Sequence, residues 1–344
     1  MDHATKSVMA REIGEIPDVL IRQVNEGLSR YLSAGRQLAA SNPRGFVTCA
    51  RGTSDHAATF FKYLMEIRTG LPVASIGPSV ASVYGSRLKL TDFVCVTVSQ
   101  SGASPDLAVL QKAAGDGGAY TLAILNETDS PVGRGADTVL PILAGPEKAV
   151  AATKSYVGSL FAILGFVAGF IGDRELESAL RGFPDIARAA LECDWSKAQL
   201  ALARAGSVFT IGRGPGLAVA AEAALKLKET CRIHAETFSS AEVLHGPVVL
   251  AERTFAALLF DPEDQSQGSV AAAANAMHNK GAAAFSSSTR AASGTDLKVP
   301  AVAHEHLLAL VQIIAFYRFV EALARNLGEN ADAPVGLNKV TETV

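Results

Sequence analysis

The chain has 344 residues, which is long enough for two domains of ordinary size or for one large domain. Its formal net charge is −3, so there is no general basic field, and nucleic acid is excluded as the expected main partner. The four cysteines are widely spaced and form no C-x-x-C pair, a pattern typical of buried thiols in a reducing compartment.

The N-terminal region predicts a helix and no signal peptide. Its first residues are charged and lack an apolar core, so we expect a cytoplasmic protein. From about residue 5 to 40, apolar side chains recur every three or four positions, which predicts an amphipathic helical arm that packs on a neighbour. These side chains are Ile13, Ile16, Val19, Leu20, Val24 and Leu28.

Short apolar runs separated by helix-length patterns follow from residue 45 onwards. The predicted strands lie at 46–50, 72–76, 93–99, 120–125 and 138–143, and then at 207–211, 254–260, 282–287 and 296–300. Runs this apolar, alternating with helices, predict parallel sheets covered on both faces. The two halves also begin alike, with A-R-G-T-S-D-H-A-A at 50–58 and G-R-G-P-G-L-A-V-A at 212–220, which predicts an internal duplication.

One nearly continuous apolar stretch, Tyr156 to Ile171, resembles a membrane span. It is shorter than the ~20 residues that a bilayer crossing needs. Lys154 and Asp173 also close it with charges on both sides. We therefore expect a helix buried in the core or between subunits, and no membrane partner.

The stretch Thr97 to Ser104, T-V-S-Q-S-G-A-S, predicts a phosphate site, because an apolar strand runs into a hydroxyl-rich turn and then a helix. Backbone N–H groups and the dipole at a helix N-terminus favour a phosphate, whereas capping alone needs a single Ser. The turn lacks the motifs of nucleotide loops, so we expect a small sugar phosphate. Ligands collect beyond the carboxyl ends of parallel strands, where Thr53, Ser54 and the segment Ala149 to Lys154 offer further contacts.

The densest reactive cluster lies between Ala221 and Pro247. Helical spacing places Glu222, Lys226 and Glu229 on one face, a pattern equally expected of a solvated face with ion pairs. The following run is predicted to be irregular, and its polar residues are His234, Glu236, Glu242 and His245. His245 can exchange a proton with a sugar near neutral pH, and a carboxylate such as Glu229 can move a proton between C1 and C2. These are the steps of aldose–ketose isomerisation.

Two other ligand classes are disfavoured by spacing. His304-Glu305-His306 clusters metal donors, but no H-E-x-x-H motif or cysteine set accompanies them, so no metal is expected. The G-R-G-P-G turn at 212–216 lacks the third spaced glycine of a dinucleotide fingerprint. We therefore expect no cofactor.

Four motifs carry a resemblance to the sugar isomerase (SIS) domain family over roughly residues 40 to 344. They are R-G-T-S-D-H-A, S-Q-S-G-A-S, G-P-E-K-A-V-A-A-T-K-S and A-L-K-L-K-E-T-C-R-I-H-A-E-T-F-S-S-A-E-V-L-H-G-P. They are most similar to the isomerase half of glucosamine-6-phosphate synthase and to related glucosamine-6-phosphate deaminases. The resemblance implies an α/β fold with two doubly wound parallel-sheet units in tandem. The implied divisions are a helical arm at 1–40, a phosphate-binding domain at 41–190, an acid/base domain at 191–330 and an active-site tail at 331–344.

The resemblance also implies roles for particular residues in binding and converting a hexose 6-phosphate. The residues that would hold its phosphate and hydroxyls are Thr53, Ser54, Ser99, Gln100, Ser101, Ser104 and Val150. Glu229 would shift the proton between C1 and C2, and His245 would open the ring with Lys226 beside them. Lys339 in the tail would form an imine with the open-chain ketose. In such proteins the histidine loop serves a neighbouring subunit's site, which implies a homodimer with shared active sites.

Three departures from the synthase pattern shape the expected activity. A glutaminase domain has no counterpart before the first α/β unit, Leu244 stands where the synthase has a lysine, and Ala152 stands where it has a serine. We expect a deaminase/isomerase that converts glucosamine 6-phosphate to fructose 6-phosphate and ammonia. The alternatives are an isomerase or deglycase acting on another sugar phosphate, and a non-catalytic sugar-phosphate sensor.

Overall fold

The computed structural model describes residues 7–290, 295–337 and 339. The helices are α1 Val8–Gly14, α2 Ile16–Arg22, α3 Leu28–Ala40, α4 Thr53–Thr69, α5 Ser79–Ser82, α6 Pro105–Asp116, α7 Pro131–Arg134, α8 Lys154–Ile171, α9 Arg174–Leu191, α10 Ser196–Arg204, α11 Pro215–Cys231, α12 Gln267–Lys280 and α13 Leu308–Asn326. The strands are β1 Gly45–Cys49, β2 Val73–Ser75, β3 Phe93–Ser99, β4 Tyr120–Leu125, β5 Thr138–Pro141, β6 Ser207–Gly212, β7 Ala235–Ser239, β8 Phe255–Phe260, β9 Ala283–Ser288 and β10 Asp296–Lys298. Shorter turns are a π-helical turn at Gln23–Gly27 and 3-10 turns at Glu242–His245, Pro247–Leu250 and Glu305–Leu307.

The chain divides into two compact units. The first unit comprises Asp18–Glu147 and Lys154–Gly182, and the second comprises the residues up to Pro17, Lys148–Thr153 and Phe183–Lys339. Each contains one parallel five-stranded sheet, with the order β2-β1-β3-β4-β5 in the first and β7-β6-β8-β9-β10 in the second. The predicted α/β class with two units is therefore confirmed, while the boundaries at residues 40, 190 and 330 stay predictions.

The predicted duplication is visible in the backbone of the two R-G turns. Gly52 precedes α4 with φ 53° and ψ −130°, and Gly214 precedes α11 with φ 53° and ψ −133°. A positive φ of this size suits glycine, which has no Cβ to clash. Both turns follow the first strand of their sheet and open a 17-residue helix. The same strand–turn–helix element thus begins each unit.

The core of the first unit lies on both faces of its sheet. Phe46 of β1 packs edge-on against Phe61 of α4, with ring centroids 5.3 Å apart, and against Phe170 of α8. Successive strand residues point to opposite faces, so Val47 and Cys95 enter a separate buried cluster with residues of α6. Because helices cover both faces of the sheet, the side chains on both sides of a strand are buried. The strands therefore read as continuous apolar runs, whereas a strand with one solvated face would alternate apolar and polar residues.

The second unit repeats this arrangement with its own helices. Phe260 of β8 packs edge-on against Phe316 of α13, with centroids 6.2 Å apart. On the other face, Ile211 and Leu259 share a buried cluster with Met277 of α12. Helix α1 also contacts α13 in this unit. The second unit therefore incorporates the first helix of the chain.

The predicted N-terminal helix is confirmed, and the chain itself covers its apolar face. Ile13, Ile16, Val19, Leu20 and Leu28 are each at most 2% exposed. In the first unit, α3 packs on α8, while α1 belongs to the second unit. No neighbouring molecule is needed to bury these side chains.

The prediction of an irregular run after α11 is wrong for residues 235–239. These residues form β7, which pairs in parallel with β6 through partners such as Val208 and Ala235. Because β7 lies at the edge of its sheet, it is rich in polar residues, and Glu236 is exposed. Polar edge strands lack the apolar signal that identifies central strands.

Within residues 7–290 and 295–337, two helices are long and apolar enough to cross a membrane. They lie at Lys154–Ile171 and Glu305–Asn326, and 89% of the apolar window in each is buried inside the protein. Such burial is typical of core helices, which need apolar residues all round. The apolar stretch predicted to be a buried helix is thus α8 in the first unit.

Glycines allow α3 and α8 to approach closely. A Cβ on Gly35 would meet the carbonyl oxygen of Phe166 and lie 2.6 Å from the Phe170 nitrogen. Gly169 on α8 is equally confined, since a Cβ there would lie 2.7 Å from the Leu32 Cα. Backbone atoms cannot move aside as a flexible side chain can, so the contact excludes even a methyl group.

We expect Gly35→Ala to lower the free energy of unfolding by about 1–3 kcal/mol, because the added methyl group overpacks the α3–α8 contact. Gly182→Ala in α9 is the matched control, since a Cβ there has no heavy atom within 4 Å. Its helix propensity should instead stabilise the protein by about 0.5–1 kcal/mol. Urea denaturation measures both, and equal effects would contradict the close-packing explanation.

Candidate active site

The turn at Ser99–Ser104 lies where ligands collect in sheets of this order. The strand order reverses between β1 and β3, which are direct neighbours, and such a switch point forms a crevice beyond the strand ends. Thr53 and Ser54 begin α4 directly after β1, and Ser104 precedes α6 after β3. The structure therefore brings the loops of these predicted phosphate-binding residues to one edge of the first unit's sheet.

The hydrogen bonds of this turn hold its backbone in shape. Ser99 Oγ accepts from the Gly102 N–H at 3.0 Å, and Ser101 Oγ accepts from the Ala103 N–H at 3.3 Å. Gly102 has φ 59°, and a Cβ on it would collide with the Ser130 side chain. Ser104 occupies the N-cap position of α6, yet its hydroxyl makes no capping hydrogen bond. Helix capping therefore does not explain Ser104.

An ion pair that sequence reasoning missed joins the two loops. Arg51 donates from Nε at 2.7 Å and from Nη2 at 2.6 Å to Oδ2 of Asp106, whose side chain is 1% exposed. The other Asp106 oxygen accepts from the Leu107 N–H at 2.9 Å. Arg51 precedes the R-G turn, and Asp106 lies in the first turn of α6. The only signals in the sequence were an Arg before Gly52 and an Asp after the N-cap, and both are common.

The equivalent loop of the second unit carries the opposite charge. After β8 the chain continues with three carboxylates, Asp261, Glu263 and Asp264, before Ser266 at the N-cap of α12. Burial raises the pKa of Asp261, and Glu263 accepts hydrogen bonds from the hydroxyls of Ser288 and Thr289, both at 2.7 Å. Carboxylates at this edge repel a phosphate. The two units share a backbone plan but not its ligand chemistry.

Helix α11 of the second unit carries a cluster of three charges. Lys226 Nζ lies 3.2 Å from Oε1 of Glu222 and 2.6 Å from Oε2 of Glu229. Tyr317 of α13 donates its hydroxyl to Glu222 Oε1 at 2.8 Å. The side chains of Glu222 and Lys226 are fully buried. The alternative of a solvated helix face is therefore wrong, because α13 packs over this face of α11.

The electrostatics of the cluster single out Glu229. Burial disfavours the charged form of Lys226, but the adjacent carboxylates of Glu222 and Glu229 outweigh it, and the pKa of Lys226 lies above its ordinary value. Lys226 is thus a permanent cation that orients both carboxylates. Glu229 alone of the three reaches solvent, with 23% of its side chain exposed. Glu229 is the member of this cluster that can meet a substrate.

His245 lies on the 3-10 turn Glu242–His245, and its side chain is exposed. Three exposed apolar side chains lie near it in the sequence, namely Leu244 at 40%, Val249 at 63% and Leu250 at 53%. His234, by contrast, hydrogen-bonds through Nδ1 to Ser207 Oγ at 2.8 Å, which accounts for it structurally. His234 and His245 are both exposed, but no hydrogen bond of this kind is found for the His245 side chain among the described residues.

The predicted tail lysine contacts the predicted binding loop. Lys339 Nζ donates to the carbonyl oxygen of Ala149 at 2.7 Å. The next residue, Val150, donates its N–H to the carbonyl oxygen of Asp332 at 3.2 Å. The tail residues beyond Lys339 lie outside the described residues. Among the residues that are described, no group of three or more His, Cys, Asp and Glu side chains is placed to hold a metal ion.

Comparison with protein-family models decides the family. The SIS domain model matches the chain twice, at residues 41–168 and 201–311, which correspond to the two sheets. The chain belongs to the SIS domain family. The resemblance found in the sequence motifs is thereby confirmed, and the members related to this chain include phosphosugar isomerases.

Three individual proteins show how similar this chain is to particular relatives. A glutamine–fructose-6-phosphate aminotransferase (isomerizing) from Bradyrhizobium diazoefficiens is 34% identical over 281 residues, which are 75% of this chain and 45% of that protein. The chain thus spans less than half the length of this relative. A solved structure assigned as a phosphosugar isomerase from Silicibacter pomeroyi DSS-3 is 41% identical, covers 95% of this chain and 100% of its own, and has a TM-score of 0.89. The glucosamine-6-phosphate deaminase of Thermotoga maritima, at 17% identity and a TM-score of 0.76, shares the fold over 98% of this chain and 100% of its own.

We expect Lys226→Met to lower the free energy of unfolding by about 3–5 kcal/mol, because it leaves the buried Glu222 carboxylate without its cation. The double variant with Glu222→Gln should recover most of that loss. Lys112→Met is the control, since Lys112 pairs with Asp116 at 2.6 Å on an exposed surface and should change stability by less than about 1 kcal/mol. Urea denaturation decides, and a Lys226→Met variant as stable as the control would contradict the buried-cation description.

Proposed function

We propose that the protein is an isomerase of sugar 6-phosphates that acts as a deaminase on glucosamine 6-phosphate, releasing fructose 6-phosphate and ammonia. The observation that carries the proposal is the geometry of Glu229, a partly exposed carboxylate 2.6 Å from a buried ammonium. The hydrogen bond from Lys226 occupies Oε2 and leaves Oε1 as the oxygen that takes a proton. A fixed carboxylate of this kind suits proton transfer between adjacent carbons.

The proton transfers of the proposed reaction are assigned to His245 and Glu229. His245 donates a proton to the ring oxygen as the C1–O5 bond breaks and takes a proton from the C1 hydroxyl, which gives the open-chain aldehyde. Glu229 removes the C2 proton and returns a proton to C1, so that C1 becomes an alcohol carbon and the C2 amine becomes an imine. Water then adds to C2 and ammonia leaves. One water is consumed and one ammonia is released, with no oxidant or reductant.

The phosphate is assigned to the hydroxyl-rich loops of the first unit. Gln100, Ser101 and Ser104 are partly exposed, and the hydroxyl of Ser104 is not used in helix capping. The Arg51–Asp106 ion pair fixes the loops after β1 and β3. Hydroxyls and helix N-termini bind a dianion, and Arg51 neutralises the Asp106 carboxylate in these loops. Sugars without a phosphate should bind far more weakly.

A second candidate is isomerisation or deglycation of another sugar phosphate. Leu244, which precedes His245, is 40% exposed and apolar where the resembling synthase has a lysine. An apolar neighbour at this point favours a substrate that carries less charge or an apolar substituent there. A substrate panel of hexose, aminohexose and fructosamine 6-phosphates separates the candidates, and tight binding without any turnover would identify a sensor.

We expect the purified protein to release ammonia from glucosamine 6-phosphate, and Glu229→Gln to slow this by about 10²–10⁴-fold, because the amide cannot accept the C2 proton. The same variant should lose exchange of deuterium from D2O into C1 of fructose 6-phosphate. Glu175→Gln, an exposed carboxylate on α9, is the control and should behave as the wild type. Ammonia release that persists in Glu229→Gln would exclude Glu229 as the base.

We also propose that the protein acts as a homodimer in which His245 of one copy serves the site of the other. The exposed apolar side chains Leu244, Val249 and Leu250 next to His245 support this, since a second copy would bury them. The histidine would then reach its substrate across the interface.

Complementation tests this arrangement. We expect Glu229→Gln and His245→Asn to be inactive separately, and their unfolded and co-refolded mixture to recover about one quarter of wild-type turnover, because half of the dimers then hold one complete site. The unmixed variants carried through the same refolding are the controls. A mixture as inactive as its components would place His245 in its own subunit's site.

A further inference from the structure

Three consecutive backbone N–H groups of the loop Lys148–Val150 are held from outside the loop. The Glu12 carboxylate of α1 accepts from the Lys148 N–H at 2.5 Å and from the Ala149 N–H at 3.2 Å. The Val150 N–H donates to the Asp332 carbonyl at 3.2 Å. The Ala149 carbonyl accepts from the Lys339 ammonium at 2.7 Å. The loop therefore serves as a fixed acceptor for the lysine.

Asp332 closes this set of contacts on α1. Its carboxylate accepts from the Val8 and Met9 N–H groups, both at 2.8 Å. Carboxylates at a helix N-terminus are stabilised by the free N–H groups there. The helix that Asp332 caps is the helix that carries Glu12. We call Glu12, Lys148–Val150, Asp332 and Lys339 the clasp, and all of them belong to the second unit.

The charge on Glu12 strengthens the hydrogen bonds of the clasp. The residue is 4% exposed, and a buried carboxylate is costly unless hydrogen bonds satisfy it. Backbone N–H groups supply charge-assisted bonds, which are stronger than neutral ones. The peptide group that joins Ala149 to Val150 accepts from the Lys339 ammonium at its carbonyl and donates its N–H to the Asp332 carbonyl, and two hydrogen bonds on one peptide group polarise each other. Removing the negative charge of Glu12 should loosen the preceding peptide groups and with them the acceptor of Lys339.

We propose that Glu12 and Asp332 are positioning residues that hold the Ala149 carbonyl so that it places the Lys339 side chain for reaction. This rests on the proposed function and on the imine that the family resemblance implies for Lys339: after losing a proton, its amine attacks the C2 carbonyl of the open-chain ketose, the C=N bond forms as water leaves, and water later hydrolyses the imine. Glu12 and Asp332 need not touch the sugar. A lysine has four rotatable side-chain bonds, and a fixed acceptor reduces the number of positions that its amine can occupy.

The test measures the reactivity of Lys339 directly, apart from turnover. Reductive methylation with formaldehyde and a borane reagent, followed by peptide mass spectrometry, gives the labelling rate of Lys339 relative to the exposed Lys280. In Glu12→Gln and in Asp332→Asn we expect this ratio to rise about fivefold, because the ammonium loses its fixed acceptor. Glu15→Gln, an exposed change at the C-cap of the same helix, should leave the ratio unchanged.

Turnover supplies the second readout. On a substrate that the wild type converts, Glu12→Gln and Asp332→Asn should lower kcat about tenfold and change KM less than about twofold, because positioning of a reactive group acts on the chemical step. Labelling of the fully buried Lys226 reports unfolding, and the comparison holds for variants in which it stays unlabelled. If Glu12→Gln does not fold, Asp332→Asn alone carries the test.

The outcomes separate this proposal from the proposed function. If no substrate of the panel is converted, the proposed function fails, and an increased Lys339 labelling ratio would still support the clasp as the holder of the lysine. If the ratio matches the wild type in both variants, the clasp proposal is overturned. It is also overturned if the ratio rises while kcat on a converted substrate is unchanged, because the contact would then have no part in the chemistry.

Discussion

The burial of one ammonium between two carboxylates is the interaction on which the chemistry of the second unit depends. Lys226 could not stay charged in the core without Glu222 and Glu229, and Glu222 in turn needs the hydroxyl of Tyr317. The packing of α13 on α11 therefore determines which carboxylate reaches solvent. Burying such charges costs desolvation free energy, so the cluster is a poor source of stability. It serves instead to orient Glu229, because it presents one oxygen of that carboxylate in a fixed direction.

The two units show how one backbone plan can carry loops of different chemistry. Gly52 and Gly214 adopt the same conformation, and each sheet has its switch point after the corresponding strands. In the first unit the loop after the third strand in chain order carries hydroxyls, whereas Asp261 stands at that place in the second. The loop chemistry of the two units thus differs on a shared backbone, as the proposed division into phosphate binding and acid–base catalysis requires. The backbone stayed the same because turn geometry and apolar runs determine it, and those did not change.

Sequence patterns predicted the parts of this protein that depend on local order. In the part of the chain that the structure describes, nine of the ten strands follow from apolar runs, because both faces of each sheet are covered. The strand Ala235–Ser239 was missed, since an edge strand with Glu236 exposed carries no such signal. Helical spacing correctly placed Glu222, Lys226 and Glu229 together, but nothing in the spacing shows that Glu222 and Lys226 are buried under α13 while Glu229 is not. The Arg51–Asp106 pair and the clasp join residues far apart in the chain, and pattern analysis contains no information on such pairs.

The clasp has a physical consequence beyond the lysine that it holds. Val8 and Asp332 are 324 positions apart, and Glu12 and Lys148 are 136 apart, so each contact closes a long stretch of chain. Once one of them has formed, the others join ends that are already close, and each further closure costs less entropy. The contacts of Glu12 and Asp332 therefore support each other through α1, and the energy of either cannot be assigned to it alone. A loop that holds a reactive amine gains from such mutual support, because it stays in place only when all its partners do.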